Sequence, residues 1–281
     1  MLAALAGFVN VMEAIETSGE QRKKTLPTRL NSCKLLREIL AMDFPPHIPP
    51  GQQPMSFTQA PPVARLEGSS IEIAAFGRKW RLCRNASLEE LWEAMGETDF
   101  EDERIPYWTE LWPASLGLAQ WLYANQARIR ARHCLDLGCG LGFTALVGAW
   151  LGADVLGCDY EMAALRNCAA SASLNCQPSP AWICMDWRRP AVAWQKLDFI
   201  WAADIIYERR SMEPVLDFLD VCLAPAGVAW LAEPGRGVFR AFPEAAKNRG
   251  FQLREVARSR TAALREGTPK SDIAIWEAER K

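Results

Sequence analysis

Apolar and polar positions change rhythm several times along the chain. Leu30, Cys33, Leu36, Ile39 and Leu40 recur at helical spacing and predict a short amphipathic helix. The next stretch carries Pro45-Pro46, Pro49-Pro50-Gly51, Pro54 and Pro61-Pro62, a density that neither a helix nor a central strand survives, so it reads as a linker. Alternation takes over between Ser70 and Arg84. Ile71 and Ile73 lead into the turn Phe76-Gly77-Arg78-Lys79, and Trp80, Leu82 and Cys83 follow, which predicts a hairpin. Ser87 with Glu90 three residues on forms a capping box, and Leu88, Leu91, Trp92 and Met95 give the ensuing helix an apolar face that Gly96 ends. The acidic run from Glu97 to Glu103 reads as a solvated loop.

From Pro106 the chain reads Pro-Tyr-Trp-Thr-Glu-Leu-Trp-Pro-Ala-Ser, after which Leu116, Leu118, Ala119, Trp121 and Leu122 predict a helix that is apolar on most of its face. Such dense aromatics are either a lid or the packing of that helix on a sheet. Beyond this point the pattern alternates regularly. Strands are predicted at 134–137, 154–159, 181–184, 197–203, 228–233, 252–259 and 273–277, and helices at 143–151, 161–175, 211–222 and 237–249. That succession requires a parallel sheet with helices on both faces, because the crossovers are right-handed. No long helix is predicted between the last two strands, which are expected to pair antiparallel. The expected fold is therefore α/β: a Rossmann-like, doubly wound, seven-stranded sheet, mostly parallel with an antiparallel last strand, plus an N-terminal extension with a β-hairpin. Three regions result: a flexible or partly helical extension and linker at 1–65, the hairpin and helix at 66–104, and the core domain at 105–281.

Composition narrows the function. A net charge of -2 gives no electrostatic footprint for nucleic acid. The apolar run at residues 1–9 is far shorter than the roughly 20 residues a membrane span needs and follows no basic residue, so neither a span nor a signal peptide is expected. The 9 cysteines include no Cys-x-x-Cys pair and read as reduced thiols of a cytoplasmic protein, mostly small core hydrophobes. With His47 and His133 the only histidines, no metal site is expected.

The chemistry is expected at the carboxyl ends of the strands. The first strand runs into Asp136-Leu137-Gly138-Cys139-Gly140-Leu141-Gly142, where glycines permit a tight turn and let a ligand approach the backbone. Asp159 ends the second strand at the place for a carboxylate that accepts both ribose hydroxyls. The third ends in Asp186-Trp187, an acceptor beside a flat ring that suits an adenine. The fourth ends in Ala202-Ala203-Asp204-Ile205-Ile206-Tyr207, with small residues giving a ligand room and Asp204 and Tyr207 projecting into the crevice. The fifth ends in Glu233-Pro234-Gly235.

With Asp-Leu-Gly-Cys-Gly-Leu-Gly where dinucleotide enzymes carry Gly-x-Gly-x-x-Gly, the segment from about Pro106 to Ala278 resembles the class I, seven-strand methyltransferases that use S-adenosylmethionine. The resemblance implies that Asp136, Gly138, Gly140 and Gly142 hold the methionine portion, Asp159 the ribose, and Asp186 with Trp187 the adenine. Asp204-Ile205-Ile206-Tyr207 matches the Asp-x-x-Tyr motif of the family-16 protein methyltransferases, which modify mostly lysine, and the Trp112 region resembles that group's tryptophan segment. The N-terminal extension departs from the group's pattern.

The activity so implied is direct, in-line methyl transfer to a lysine side chain of a protein, leaving S-adenosylhomocysteine. Asp204 would orient the amine and Tyr207 shape the opening, as the catalytic pair. Trp112 and Ala203 would border the cofactor, and Trp108 and Glu233 the acceptor. A small amine or other metabolite is the alternative acceptor. A non-catalytic cofactor-binding module is disfavoured by the presence together of Asp136, Asp159 and Asp204, and a nicotinamide dehydrogenase by the glycine spacing. Gly140→Arg is expected to abolish cofactor binding, because a long side chain fills the cradle; calorimetry with S-adenosylhomocysteine checks this, and measurable affinity would contradict the loop's role.

Overall fold

The computed structural model describes residues 63–67, 70–88, 90–91, 106–175, 179–192, 195–261 and 270–281. The helix expected near Leu30 to Leu40, the Pro-rich linker, the acidic run and the far part of the helix after Ser87 lie outside them. The capping box itself is formed: Ser87 N–H donates to Glu90 Oε2 at 2.6 Å, and Glu90 N–H donates back to Ser87 Oγ at 3.2 Å.

Three strands, β1 (Val63–Glu67), β2 (Ser70–Ala75) and β3 (Arg78–Cys83), make an antiparallel sheet in that order. The sequence predicts only the β2–β3 hairpin. Strand β1 is too short to show a clear period and directly follows Pro61-Pro62, so its pairing of Val63 with Ala74 through Glu67 with Ser70 is legible only in three dimensions. The hairpin turns on Phe76 and Gly77, both at positive φ (57° and 72°), as a two-residue turn between twisted strands requires. Phe76 is held in that conformation by its ring, which stacks on Tyr123 with centroids 4.7 Å apart.

The second sheet has the order β6-β5-β4-β7-β8-β10-β9, with β4 (His133–Leu137), β5 (Asp154–Asp159), β6 (Ala181–Cys184), β7 (Leu197–Ala203), β8 (Leu223–Glu233), β9 (Phe251–Arg260) and β10 (Asp272–Arg280). Strands β4 to β8 pair parallel with one another, and β10 runs antiparallel to both β8 and β9. The order reverses between β4 and β7, so their carboxyl ends open a crevice. Helices α1 (Pro113–Ala124), α2 (Gln126–Ile129), α3 (Phe143–Trp150), α4 (Met162–Asn175), α5 (Met212–Cys222) and α6 (Phe242–Asn248) make the connections. Helix α1 starts on Pro113, whose missing N–H costs nothing there. The single helix expected over 237–249 divides into a 3-10 turn, Gly237–Ala241, and α6, whose first turn holds Pro243.

The small sheet is not a free appendage. Trp80 of β3 is fully buried and meets Phe143 and Trp150 of α3 edge-on, with centroids 5.8 and 5.5 Å away. The outer edge of β3 is closed by side chains of α4 instead of another strand. Arg81 N–H donates to Asn175 Oδ1 at 2.7 Å, Asn175 Nδ2 donates to Arg81 O at 2.5 Å, and Cys83 N–H donates to Ser171 Oγ at 2.8 Å. That explains two buried polar side chains on α4, and it satisfies an edge that would otherwise need water. Asn175→Ala is expected to destabilise the protein by about 1–2 kcal/mol in urea unfolding, because it leaves partly buried backbone groups of Arg81 without their side-chain partner. Ser173→Ala, exposed on the same helix, is expected to stay within about 0.5 kcal/mol of the unsubstituted chain.

Candidate functional site

Strand β4 leaves the sheet through three glycines in left-handed backbone conformations: Gly138 at φ +68°, Gly140 at +51° and Gly142 at +77°. Space is short as well. A β carbon on Gly138 would lie 3.0 Å from Ile205 and 3.3 Å from the Trp187 ring, and one on Gly142 would lie 2.8 Å from Cys168 Sγ. A β carbon on Gly140 would lie 3.6 Å from the Trp108 carbonyl oxygen, an ordinary contact, so at this position it is the left-handed backbone that calls for glycine. The loop thus runs beneath the aromatic segment, between the exit of β7 and the middle of α4, and a side chain at Gly138 or Gly142 would collide with its neighbours.

Two carboxylates hold this loop. Asp136 is 1% exposed and accepts the Thr144 hydroxyl at 2.6 Å, and burial pushes its pKa up to about 7. It braces the start of α3 rather than facing the crevice, so any support it gives to a ligand passes through the loop. Asp159, at the end of β5, accepts Gly140 N–H at 2.8 Å and Glu161 N–H at 3.0 Å. Burial raises its pKa and the amides oppose the rise. A carboxylate has about four lone-pair sites, and the amides of Glu161, Gly140 and Tyr160 face this one, so capacity for a further donor remains. Asp186, after β6, is held by Arg188, whose side chain keeps its pKa below the ordinary value and whose Nε lies 2.9 Å from both oxygens. Its neighbour Trp187 borders Gly138.

At the end of β7, Ala203 pairs with Ala232 of β8, and Asp204 turns into the left-handed region at φ +58° while its N–H donates to Ala232 O at 2.9 Å. The Asp204 carboxylate is 5% exposed and receives both arms of the Arg236 guanidinium, Nε to Oδ1 at 2.5 Å and Nη2 to Oδ2 at 2.7 Å. Burial alone would lower the Arg236 pKa; the Asp204 charge and its hydrogen bonds more than reverse this. Glu233, at the end of β8, accepts N–H groups of Gly235, at 2.8 Å, and Arg236, and burial pushes its pKa up to about 7.

Aromatic rings close the far side. Tyr107 lies 5.5 Å from Tyr207 and 5.8 Å from Trp112, centroid to centroid, and Trp112 Nε1 donates to Tyr107 O at 2.9 Å. Burial raises the pKa of both phenols, that of Tyr107 to about 12. The segment is anchored by a buried ion pair: Arg84 Nη1 lies 2.9 Å from Glu110 Oε1, which also accepts Leu88 N–H. The structure therefore gathers Gly138, Gly140, Gly142, Asp159, Trp187 and the Trp108 backbone at one end, and Asp204, Tyr207, Trp112 and Glu233 at the other. Sequence reasoning missed Arg236 and Tyr107. The available signals were an arginine three residues after a strand-ending glutamate, and a tyrosine opening the aromatic run.

A glycine cradle that a β carbon would fill, a carboxylate one strand away and an indole beside the first glycine fit a nucleoside carrying an amino-acid arm. Among the described residues no group of three or more His, Cys, Asp or Glu is placed to hold a metal ion.

Residues 100–236 match a protein family described as lysine methyltransferase. The chain is 29% identical over 141 residues to the electron transfer flavoprotein beta subunit lysine methyltransferase of Danio rerio, covering 48% of this chain and 52% of that one. It is 26% identical over 113 residues to the human histone-arginine methyltransferase METTL23 (38% and 58% covered), and 26% over 136 residues to the Mus musculus protein-lysine methyltransferase METTL21E (44% and 55%). The chain spans about half the length of the curated relatives it matches.

Asp136 carries a pH prediction. Its folded pKa is raised, so the folded state keeps a proton that the unfolded chain has released, and stability falls as pH rises from about 4 to about 7. Glu233 adds a decline of the same sign up to about 7. In urea unfolding between pH 5 and pH 8, Asp136→Asn is expected to flatten this decline, by up to about 1.4 kcal/mol for each unit crossed. An unchanged slope would contradict the buried, proton-retaining carboxyl.

Proposed function

We propose, on the premise that the chain resembles the class I methyltransferases and within them the family-16 lysine methyltransferase group, that it is an S-adenosylmethionine-dependent methyltransferase acting on a lysine side chain of a protein. The observation that carries this reading is the placement of Asp204 and Tyr207 directly across the topological switch point from the glycine loop. When bound, the cofactor supplies a methyl group on a positively charged sulfur, a leaving group already activated for displacement.

This chain's residues would do the remaining work. Gly138, Gly140 and Gly142 admit the methionine arm, Asp159 takes the ribose, and Trp187 with the Asp186 region borders the adenine. Ala203 leaves room at the end of β7. A lysine amine is mostly protonated at pH 7, so the site has to present it neutral and aligned. Asp204 orients it through an accepted N–H bond. Tyr107, Trp108, Trp112 and Tyr207 keep water from the reacting atoms. The cytoplasmic setting belongs to the same proposal and rests on cysteine usage in the sequence, which has no Cys-x-x-Cys pair. A small amine acceptor is the second reading, supported by the 5% exposure of the Asp204 side chain, which narrows the approach.

Asp204→Asn tests the reading with the backbone turn kept, because Asn tolerates the left-handed region where most residues lose about 1–2 kcal/mol and its amide oxygen still accepts from Arg236. It is expected to keep affinity for S-adenosylhomocysteine while transfer of radiolabelled methyl into proteins of a source lysate falls about a hundredfold. Undiminished transfer would sink the assignment.

A further inference from the structure

An unpaired carboxylate is a poor neighbour for a nucleophilic amine. It favours the ammonium form, which has no lone pair to attack with. Asp204 is not unpaired: Arg236 meets it fork to carboxylate, through two bonds at 2.5 and 2.7 Å. Those bonds take one lone pair on each oxygen and leave the others for a further donor. Arg236 is itself fixed, by its own N–H on Glu233 and by the Trp112 ring 5.9 Å from its guanidinium. The other charged or titratable groups around the pair are Glu233, Tyr107, Tyr207 and the Glu208–Arg210 ion pair. Glu208 and Arg210 offset each other, both phenols are neutral at ordinary pH, and burial pushes the Glu233 pKa up to about 7, so below that pH Glu233 is mostly protonated and adds little charge. Arg236 is thus the charge that directly offsets Asp204.

Resting on the methyltransferase reading above, we propose that Arg236 is a positioning residue that cancels the Asp204 charge, so that Asp204 aligns an acceptor amine by hydrogen bonding without keeping it protonated. The aspartate alone would bind lysine well and hold it in the unreactive form. The pair binds it less tightly and leaves it free to lose its proton to solvent.

A probe with its own amine tests this independently of the acceptor. Sinefungin, the cofactor analogue in which an amine-bearing carbon replaces the methylated sulfur, carries a cation at the place of the transferring methyl; S-adenosylhomocysteine carries none. Both are titrated by calorimetry into the unsubstituted protein, Arg236→Gln and Arg236→Lys. Arg236→Gln is expected to raise the preference for sinefungin over S-adenosylhomocysteine by about tenfold or more, because it unmasks the carboxylate. Arg236→Lys, which keeps the charge, is expected to stay near the original preference. If Arg236→Gln does not fold, the neutral pair Asp204→Asn with Arg236→Gln is expected to restore the original preference. An unchanged preference in folded Arg236→Gln, a rise in Arg236→Lys equal to that in Arg236→Gln, or an altered preference in the neutral pair would each overturn the role of the charge. Failure of the unsubstituted protein to bind either nucleoside would instead overturn the cofactor reading, and this inference with it.

Discussion

Left-handed backbone at the two strand ends flanking the switch point is the constraint on which the site depends. Gly138, Gly140 and Gly142 after β4, and Asp204 after β7, all take positive φ. For glycine this is free; for an aspartate it has to be imposed by its surroundings. Here the Asp204 N–H on Ala232 and the two Arg236 bonds impose it. Both turns divert the chain sharply at the sheet rim, and the crevice is the space between them.

That space has a roof because the N-terminal sheet is locked to the core. Closure of the β3 edge by Asn175 and Ser171, and burial of Trp80 against α3, fix the small sheet. The Arg84–Glu110 pair then fixes the aromatic segment that crosses Gly140. A buried ion pair adds little net stability, but losing one partner strands the other charge, so it specifies one placement of the segment. Residues far from the chemistry thereby set where Trp108 and Trp112 lie.

Strand and helix order, the antiparallel last strand and the glycine loop were legible in the sequence, because each rests on local rules of period, crossover handedness and backbone freedom. Strand β1 and the β3 edge closure were not, because their partners lie in distant segments such as Asn175. The site divides in the same way. Asp204 and Tyr207 announce themselves as a spaced motif at a strand end, whereas Arg236 gains meaning only from the atoms it meets. Asp136 shows the reverse: conspicuous in the motif, it is buried under the loop on Thr144.

The central claim is methyl transfer to a protein lysine. Methyl-labelled S-adenosylmethionine, the full chain and a lysate of its source, followed by tandem mass spectrometry of the digested proteins and of the small-molecule fraction, test it most directly. Label on the ε-amine of a lysine within a peptide is the predicted result. Label confined to small molecules, or to side chains other than lysine, would contradict it.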